Sequence, residues 1–233
     1  MIDTFGRVHR DLRISVTDRC NFRCTYCMPA DGLEWLPRED LLTFEEIERV
    51  ARLMVERHGV ESIRLTGGEP TVRANLPTLV GMLADLPVDL SLTTNGMTLR
   101  LVAGKLAAAG LKRINVSLDS LRADRFEELT LRNELPRVLD GIDAAIEAGL
   151  YPVKVNVVVM RGVNDDELVD LARFGRERGV EVRFIEFMPL DADRSWSEGA
   201  VVGQDEIVAR IGEVFPLEPV DRTSAPATRY RYV

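Results

Sequence analysis

Three cysteines stand within eight residues, Cys20-Asn21-Phe22-Arg23-Cys24-Thr25-Tyr26-Cys27, and the 233-residue chain has no others. The spacing C-x3-C-x2-C sets three thiolates on one short loop. They can wrap three corners of an iron–sulfur cube and leave its fourth iron without a protein ligand. An open coordination position is what metal catalysis requires, because a substrate can bind there. An odd number of cysteines confined to one loop argues against a disulfide framework. The bland alternatives are buried unligated thiols or a structural zinc site. Zinc needs a fourth ligand, and the two histidines, His9 and His58, are both remote from the loop in sequence.

The elements that must position this loop read as alternating strands and helices. Strands are expected at Asp11–Val16, Ser62–Thr66, Asp89–Thr93, Arg113–Ser117, Pro152–Val159 and Glu181–Phe187. Between them lie helical patterns: one opened by the capping box Thr43-Phe44-Glu45-Glu46, then Asn75–Leu86, Thr98–Ala109, Pro136–Ala148, Asp165–Arg178 and Gln204–Val214. Gly110, Gly149 and Gly179 stand where left-handed helix C-caps belong. Such alternation predicts a parallel sheet with right-handed crossovers. The cysteine loop then follows the first strand, at the carboxyl end where ligands gather in parallel α/β folds.

Each strand carries one apolar and one polar face, whereas a parallel strand buried on both sides usually reads as a continuous apolar run. The polar sets are Arg13/Ser15/Thr17, Arg64/Thr66/Gly68, Ser91/Thr93/Asn95, Asn115/Ser117/Asp119 and Lys154/Asn156, with Arg183 on the sixth strand. A polar face repeated over so many parallel strands lines a wet lumen. The expected fold is α/β, a partial (βα)6 TIM-type barrel over residues 1–215, open along one edge and with helices on its apolar outer face. Residues 216–233 read as an extended tail with no helical period, ending in an alternation, Thr228–Val233, that has no evident partner and leads toward a missing C-terminal segment.

Lumenal cations call for an anionic ligand. Arg13, Arg64 and Lys154 lie on polar strand faces and Arg183 is a fourth, in a chain whose net charge is −8. Burying them unpaired would cost roughly several kcal/mol each. A polyphosphate would compensate that charge, and arginine suits phosphate geometry. Asp119 is the one carboxylate visible on the polar faces as an internal alternative. The acidic balance argues against a nucleic-acid or anionic-membrane partner. No run of eighteen apolar residues and no apolar leader is present, so a cytoplasmic location is expected.

The motif C-x3-C-x-aromatic-C, with Tyr26 as the aromatic, resembles the signature of the radical S-adenosylmethionine (SAM) superfamily. That resemblance implies a 4Fe–4S cluster on Cys20, Cys24 and Cys27, SAM on the open iron, and a 5′-deoxyadenosyl radical released by reductive cleavage. It further implies that Tyr26, Gly67, Gly68, Glu69, Ser117 and Met188 contact SAM, Glu69 accepting from its ammonium group and Met188 lying against the adenine. Longer stretches resemble one branch, the GTP 3′,8-cyclases of molybdenum-cofactor biosynthesis: Asp11–Cys24, Cys27-Met28-Pro29, Ile63–Pro70, Leu92–Gly96, Arg113–Asp119, Val153–Val158 and Arg183–Met188. This implies GTP contacts at Arg13, Arg64, Thr93 and Lys154, attack of a ribose C3′ radical on guanine C8, and a catalytic role for Arg183 in quenching the adduct. Implied partners are GTP, a one-electron donor such as flavodoxin, the downstream cyclic pyranopterin monophosphate synthase, and a second copy of the chain as a homodimer. That branch carries a second 4Fe–4S cluster on three further cysteines, which this sequence does not contain. Two other readings stay open, a radical SAM enzyme for another substrate such as a peptide, and a non-catalytic cluster-binding fragment.

Overall fold

The computed structural model describes residues 2–29, 31–189, 196–220 and 227–233. Six strands form one parallel sheet in sequence order: β1 (Asp11–Ser15), β2 (Ser62–Thr66), β3 (Asp89–Thr94), β4 (Arg113–Ser117), β5 (Val153–Val159) and β6 (Glu181–Glu186). Helices link them: α1 (Phe44–His58), α2 (Leu76–Ala84), α3 (Leu99–Ala108), the pair α4 (Ala123–Thr130) and α5 (Leu135–Glu147), and α6 (Leu168–Arg178); α7 (Gln204–Gly212) follows β6. Strand order that equals chain order is the wrapping of a barrel. Among the described residues β1 and β6 pair only with β2 and β5, so the barrel is partial and open between its first and last strands.

The apolar strand faces build the core. Ile63, Leu65, Leu92, Ile114, Val116, Val155 and Val157 are wholly buried beneath Ile47 and Ala51 of α1, Leu79 and Leu83 of α2, Leu106 of α3, Ile142 of α5 and Leu171 of α6. The opposite faces carry the polar sets, as the period-two pattern predicts. The capping box at Thr43 forms: the Glu46 amide donates to the Thr43 hydroxyl at 3.2 Å and the Thr43 amide to the Glu46 carboxylate at 2.8 Å. Gly110, Gly149 and Gly179 all take positive φ, at 103°, 75° and 67°.

The structure departs from the sequence reading in three places. Helix α4 was not expected; it is two turns long, has no side-chain cap, and ends on Leu131 with φ 52° in place of a glycine. The helix expected from Asp165 starts as a 3-10 turn, Asp165–Glu167, before α6. The closing alternation does have a partner. Leu217–Pro219 (β7) pairs antiparallel with Tyr230–Tyr232 (β8), while residues 221–226 of the expected extended tail lie outside the described residues. This hairpin seats on α6, where Tyr232 donates to the Ala172 carbonyl at 3.2 Å and Arg176 stacks over both Phe215 and Tyr232. Among the described residues no helix is long and apolar enough to cross a membrane.

Candidate active site

The cysteine loop leaves the carboxyl end of β1 and is folded on itself by two amides, those of Cys27 and Met28, which both donate to the Cys24 carbonyl at 2.9 and 3.0 Å. Its footing is α4. The Arg23 amide donates to Thr130 O at 3.0 Å and the Thr25 amide to Leu129 O at 2.9 Å, using carbonyls at a helix C-terminus that have no partner within the helix. Phe22 is buried edge-to-face on Phe126, with ring centroids 5.8 Å apart. Cys20 and Cys24 are half-buried and Cys27 is exposed, all as free thiols.

Burial raises the pKa of all three thiols, most strongly at Cys24, where the nearby Asp119 carboxylate adds to the effect. Thiols that resist ionisation alone bind as thiolates when cationic iron offsets their charge. Among the described residues no three His, Cys, Asp or Glu side chains are grouped to hold a single metal ion. A 4Fe–4S cubane carries its four irons at alternate corners and each thiolate binds a different one, so the thiolates need not converge on one point, and three thiols on one docked loop fit that donor set.

The Gly67-Gly68-Glu69-Pro70 turn follows β2 and is pressed onto the chain that leads into Cys20. Gly68 N donates to Thr17 O at 2.7 Å and Glu69 N to Arg19 O at 2.8 Å. A Cβ on Gly68 would overlap the carbonyls of Asp18 and Arg19, so the close approach permitted by the glycine is to the protein's own backbone. Glu69 is 1% exposed. It accepts from Thr71 N at 3.0 Å, Thr71 Oγ1 at 2.5 Å, Thr94 Oγ1 at 2.7 Å and Asn95 N at 2.6 Å, pinning the turn to the end of β3. Burial raises its pKa against those hydrogen bonds.

Tyr26 packs its ring beside Leu129, Met160 and Phe187 and donates its hydroxyl to Asp119, just past β4. Asp119 also accepts from Val158 N at 2.8 Å, and its backbone carbonyl accepts from the buried Asn164 at 2.8 Å. Burial raises the Asp119 pKa to about 6 against the hydrogen bonds from Tyr26 and Val158. Asp119, the internal carboxylate the sequence offered as an alternative partner for the lumenal cations, instead ties the cysteine loop to β4 and β5.

Those cations lie in register across the lumen. Arg13 pairs with Arg64, Arg64 with Ser91, and Ser91 with Arg113; one step higher Thr93 pairs with Asn115, Asn115 with Lys154, and Lys154 with Glu181. Arg183 stands above, opposite Asn156, which pairs with Ser117 at the end of β4. The internal carboxylate is Glu181, which accepts from Lys154 and from Arg183, each at 3.0 Å, and from Arg229 beside β8 at 3.3 Å. Arg64 has a buried Nε without a hydrogen-bond partner among the described residues, and burial together with the charges of Arg13, Arg183 and Arg113 depresses its pKa. Lys154 is 8% exposed and is depressed by burial despite its bond to Glu181.

Sequence-expected residues thus fall in two groups. Cys20, Cys24, Cys27, Tyr26, Gly67, Gly68, Glu69 and Ser117 gather at the carboxyl ends of β1, β2 and β4, and Arg13, Arg64, Thr93, Lys154 and Arg183 line the lumen below and beside them. Met188 follows β6 and is half exposed. Glu181 and Arg113 escaped the reading, although each has the parity of its strand's polar face; both are the first residues of their strands, where alternation is least legible.

The radical SAM superfamily model matches residues 14–175. A relative from Rhodopirellula baltica named GTP 3′,8-cyclase is 52% identical over 99% of this chain and 66% of its own length. One from Moorella thermoacetica with the same name is 50% identical over 100% of this chain and 73% of its own. The chain spans about two thirds of the length of the relatives it matches. Among solved structures, Streptococcus suis SuiB bound to its precursor peptide SuiA aligns at TM-score 0.69 and 18% identity over 88% of this chain and 44% of that one. Methylornithine synthase aligns at TM-score 0.68 and 17% identity over 91% and 64%. These structural likenesses bear on the fold alone. With half its residues shared with relatives across its whole length, the chain belongs to the radical SAM superfamily and, within it, to the GTP 3′,8-cyclase family.

Proposed function

We propose that this chain is the barrel of an enzyme that cleaves SAM reductively and cyclises GTP to (8S)-3′,8-cyclo-7,8-dihydroguanosine 5′-triphosphate in molybdenum-cofactor biosynthesis. The observation that carries the reading is the set of lumenal cations Arg13, Arg64 and Lys154 below a three-cysteine loop, with the buried Arg64 Nε lacking a hydrogen-bond partner among the described residues. Cys20, Cys24 and Cys27 would hold a 4Fe–4S cluster. When bound, the cluster and SAM supply a 5′-deoxyadenosyl radical for hydrogen abstraction.

The remaining work belongs to the protein's side chains. Gly67, Gly68, Glu69 and Ser117 form the rim on which SAM is held, with Tyr26 and Met188 on either side. Glu69 already accepts four hydrogen bonds, so its carboxylate is fixed in place before an ammonium group approaches. Arg13, Arg64, Thr93 and Lys154 hold the triphosphate, which orients the ribose toward the rim. Arg183, held by Glu181 through its Nε, would supply the proton that, together with one electron from the one-electron donor, quenches the cyclised adduct radical. The guanine-binding second cluster falls to residues outside this sequence. The protein works in the cytoplasm as a homodimer, takes its electron from a donor such as flavodoxin, and hands its product to cyclic pyranopterin monophosphate synthase.

The test is anaerobic reconstitution with iron and sulfide, then SAM and dithionite, with 5′-deoxyadenosine quantified in the presence and absence of GTP. GTP-stimulated cleavage with a cyclised product is the expected result. Cleavage indifferent to GTP would reassign the substrate, and no cleavage by iron-loaded protein would overturn the enzymatic reading.

A further inference from the structure

We infer that Arg113 is a specificity-determining residue which, beside Arg64, engages the terminal phosphates of the nucleotide and so sets the preference for a triphosphate over a monophosphate. The inference rests on the GTP reading above and goes beyond it, because it assigns phosphate counting to a residue outside the set named there.

Arg64 and Arg113 both pair in register with Ser91, so the two guanidinium groups share one lumenal layer with a small buried residue between them. Four buried side-chain polar atoms among the described residues lack a hydrogen-bond partner, and two of them are the Nε atoms of Arg64 and Arg113. Unmet buried N–H donors are costly, and two in one layer call for a ligand rich in acceptors. Arg113 meets Asp89 through a terminal nitrogen, and that carboxylate is 45% exposed, so the pairing leaves the buried Nε of the guanidinium's five donors unmet. The charge of Arg113 is felt within the layer and one step above it: it contributes to the depression of both Arg64 and Lys154.

Position gives the specificity. Arg113 opens β4 and Ser117 closes it at the SAM rim, four residues and so about 13 Å higher along the strand. With the ribose held near the rim, each added phosphate lengthens the ligand toward the floor, and the last to arrive meets Arg64 and Arg113.

Equilibrium binding of GTP, GDP, GMP and inorganic triphosphate to the reconstituted protein tests this, with melting curves to establish that each variant folds. Arg113→Gln is expected to weaken GTP and inorganic triphosphate about tenfold or more and GMP little. Asp89→Asn, which frees Arg113 without removing it, is expected to tighten GTP and leave GMP unchanged, a gain that a merely structural ion pair would not give. Equal losses for GTP and GMP in Arg113→Gln, or unchanged GTP binding in both variants while Arg64→Gln loses it, would overturn the assignment. Arg113-dependent binding of inorganic triphosphate without any preference for GTP would sink the GTP reading and keep the polyphosphate floor.

Discussion

At the scale of single residues, the lumen's balance turns on Glu181. It is the carboxylate that Lys154 and Arg183 share, and it holds both in place, while among the described residues Arg13 and Arg64 make no ion pair. Burial pushes its pKa up, but the hydrogen bonds from Lys154 and Arg183 outweigh burial and the net shift is downward. A depressed carboxylate contributes stability that is present above its unfolded pKa, about 4.3, and is lost as pH falls through the folded value. The Glu181→Gln variant should therefore be less stable than the parent at pH 7, with the gap closing as pH drops below about 4. Urea unfolding at both ends of that range measures it, and a gap independent of pH would refute the assignment. Glu181 shows why the lumen was only partly legible. The alternation of β1 through β5 displays its polar set plainly, but in β6 Ile185 shares the face of Arg183, so the strand's first residue does not read as lumenal. The cysteines were legible because spacing within one loop needs no knowledge of the fold, whereas the Tyr26–Asp119 contact joins residues 93 apart.

At the scale of elements, the site is a set of loop ends stapled to one another by backbone. The glycine pair lies on Thr17–Arg19 and the cysteine loop on the last carbonyls of α4. Gly68→Ala should displace the segment entering Cys20, lowering iron content after reconstitution and costing about 1–3 kcal/mol by urea unfolding. Gly104→Ala, in α3 where an added Cβ meets nothing, should leave iron content unchanged and add up to about 1 kcal/mol. Equal iron content in the two variants would show that the turn does not position the cysteines. Helices with a capping box or a closing glycine were readable from sequence. Helix α4 was not, because a Leu at positive φ ends it and its docking partner is a loop. The β7–β8 pair was hidden for a similar reason: each strand has three residues, and the partners are more than ten residues apart.

At the scale of the whole molecule, one core serves every strand, so damage is shared. Leu92 lies wholly buried at the middle of the sheet, and Leu92→Ala should cost about 3 kcal/mol in a single unfolding transition that urea denaturation resolves. A loss confined to β3, with the remaining strands melting later, would mean that the sheet is not one cooperative unit. The same sheet fixes the lumenal cations at separations set by strand register, and they cannot drift apart to ease their repulsion. In the unfolded chain they can. Folding is thus opposed by a term that a bound polyanion cancels, and a ligand that prefers the folded state adds RT ln(1 + [L]/Kd), about 2.7 kcal/mol at a hundredfold excess. On the proposed function the nucleotide is then a folding partner as well as a substrate, and the lifetime of the protein in a cell becomes tied to the size of the nucleotide pool it draws on.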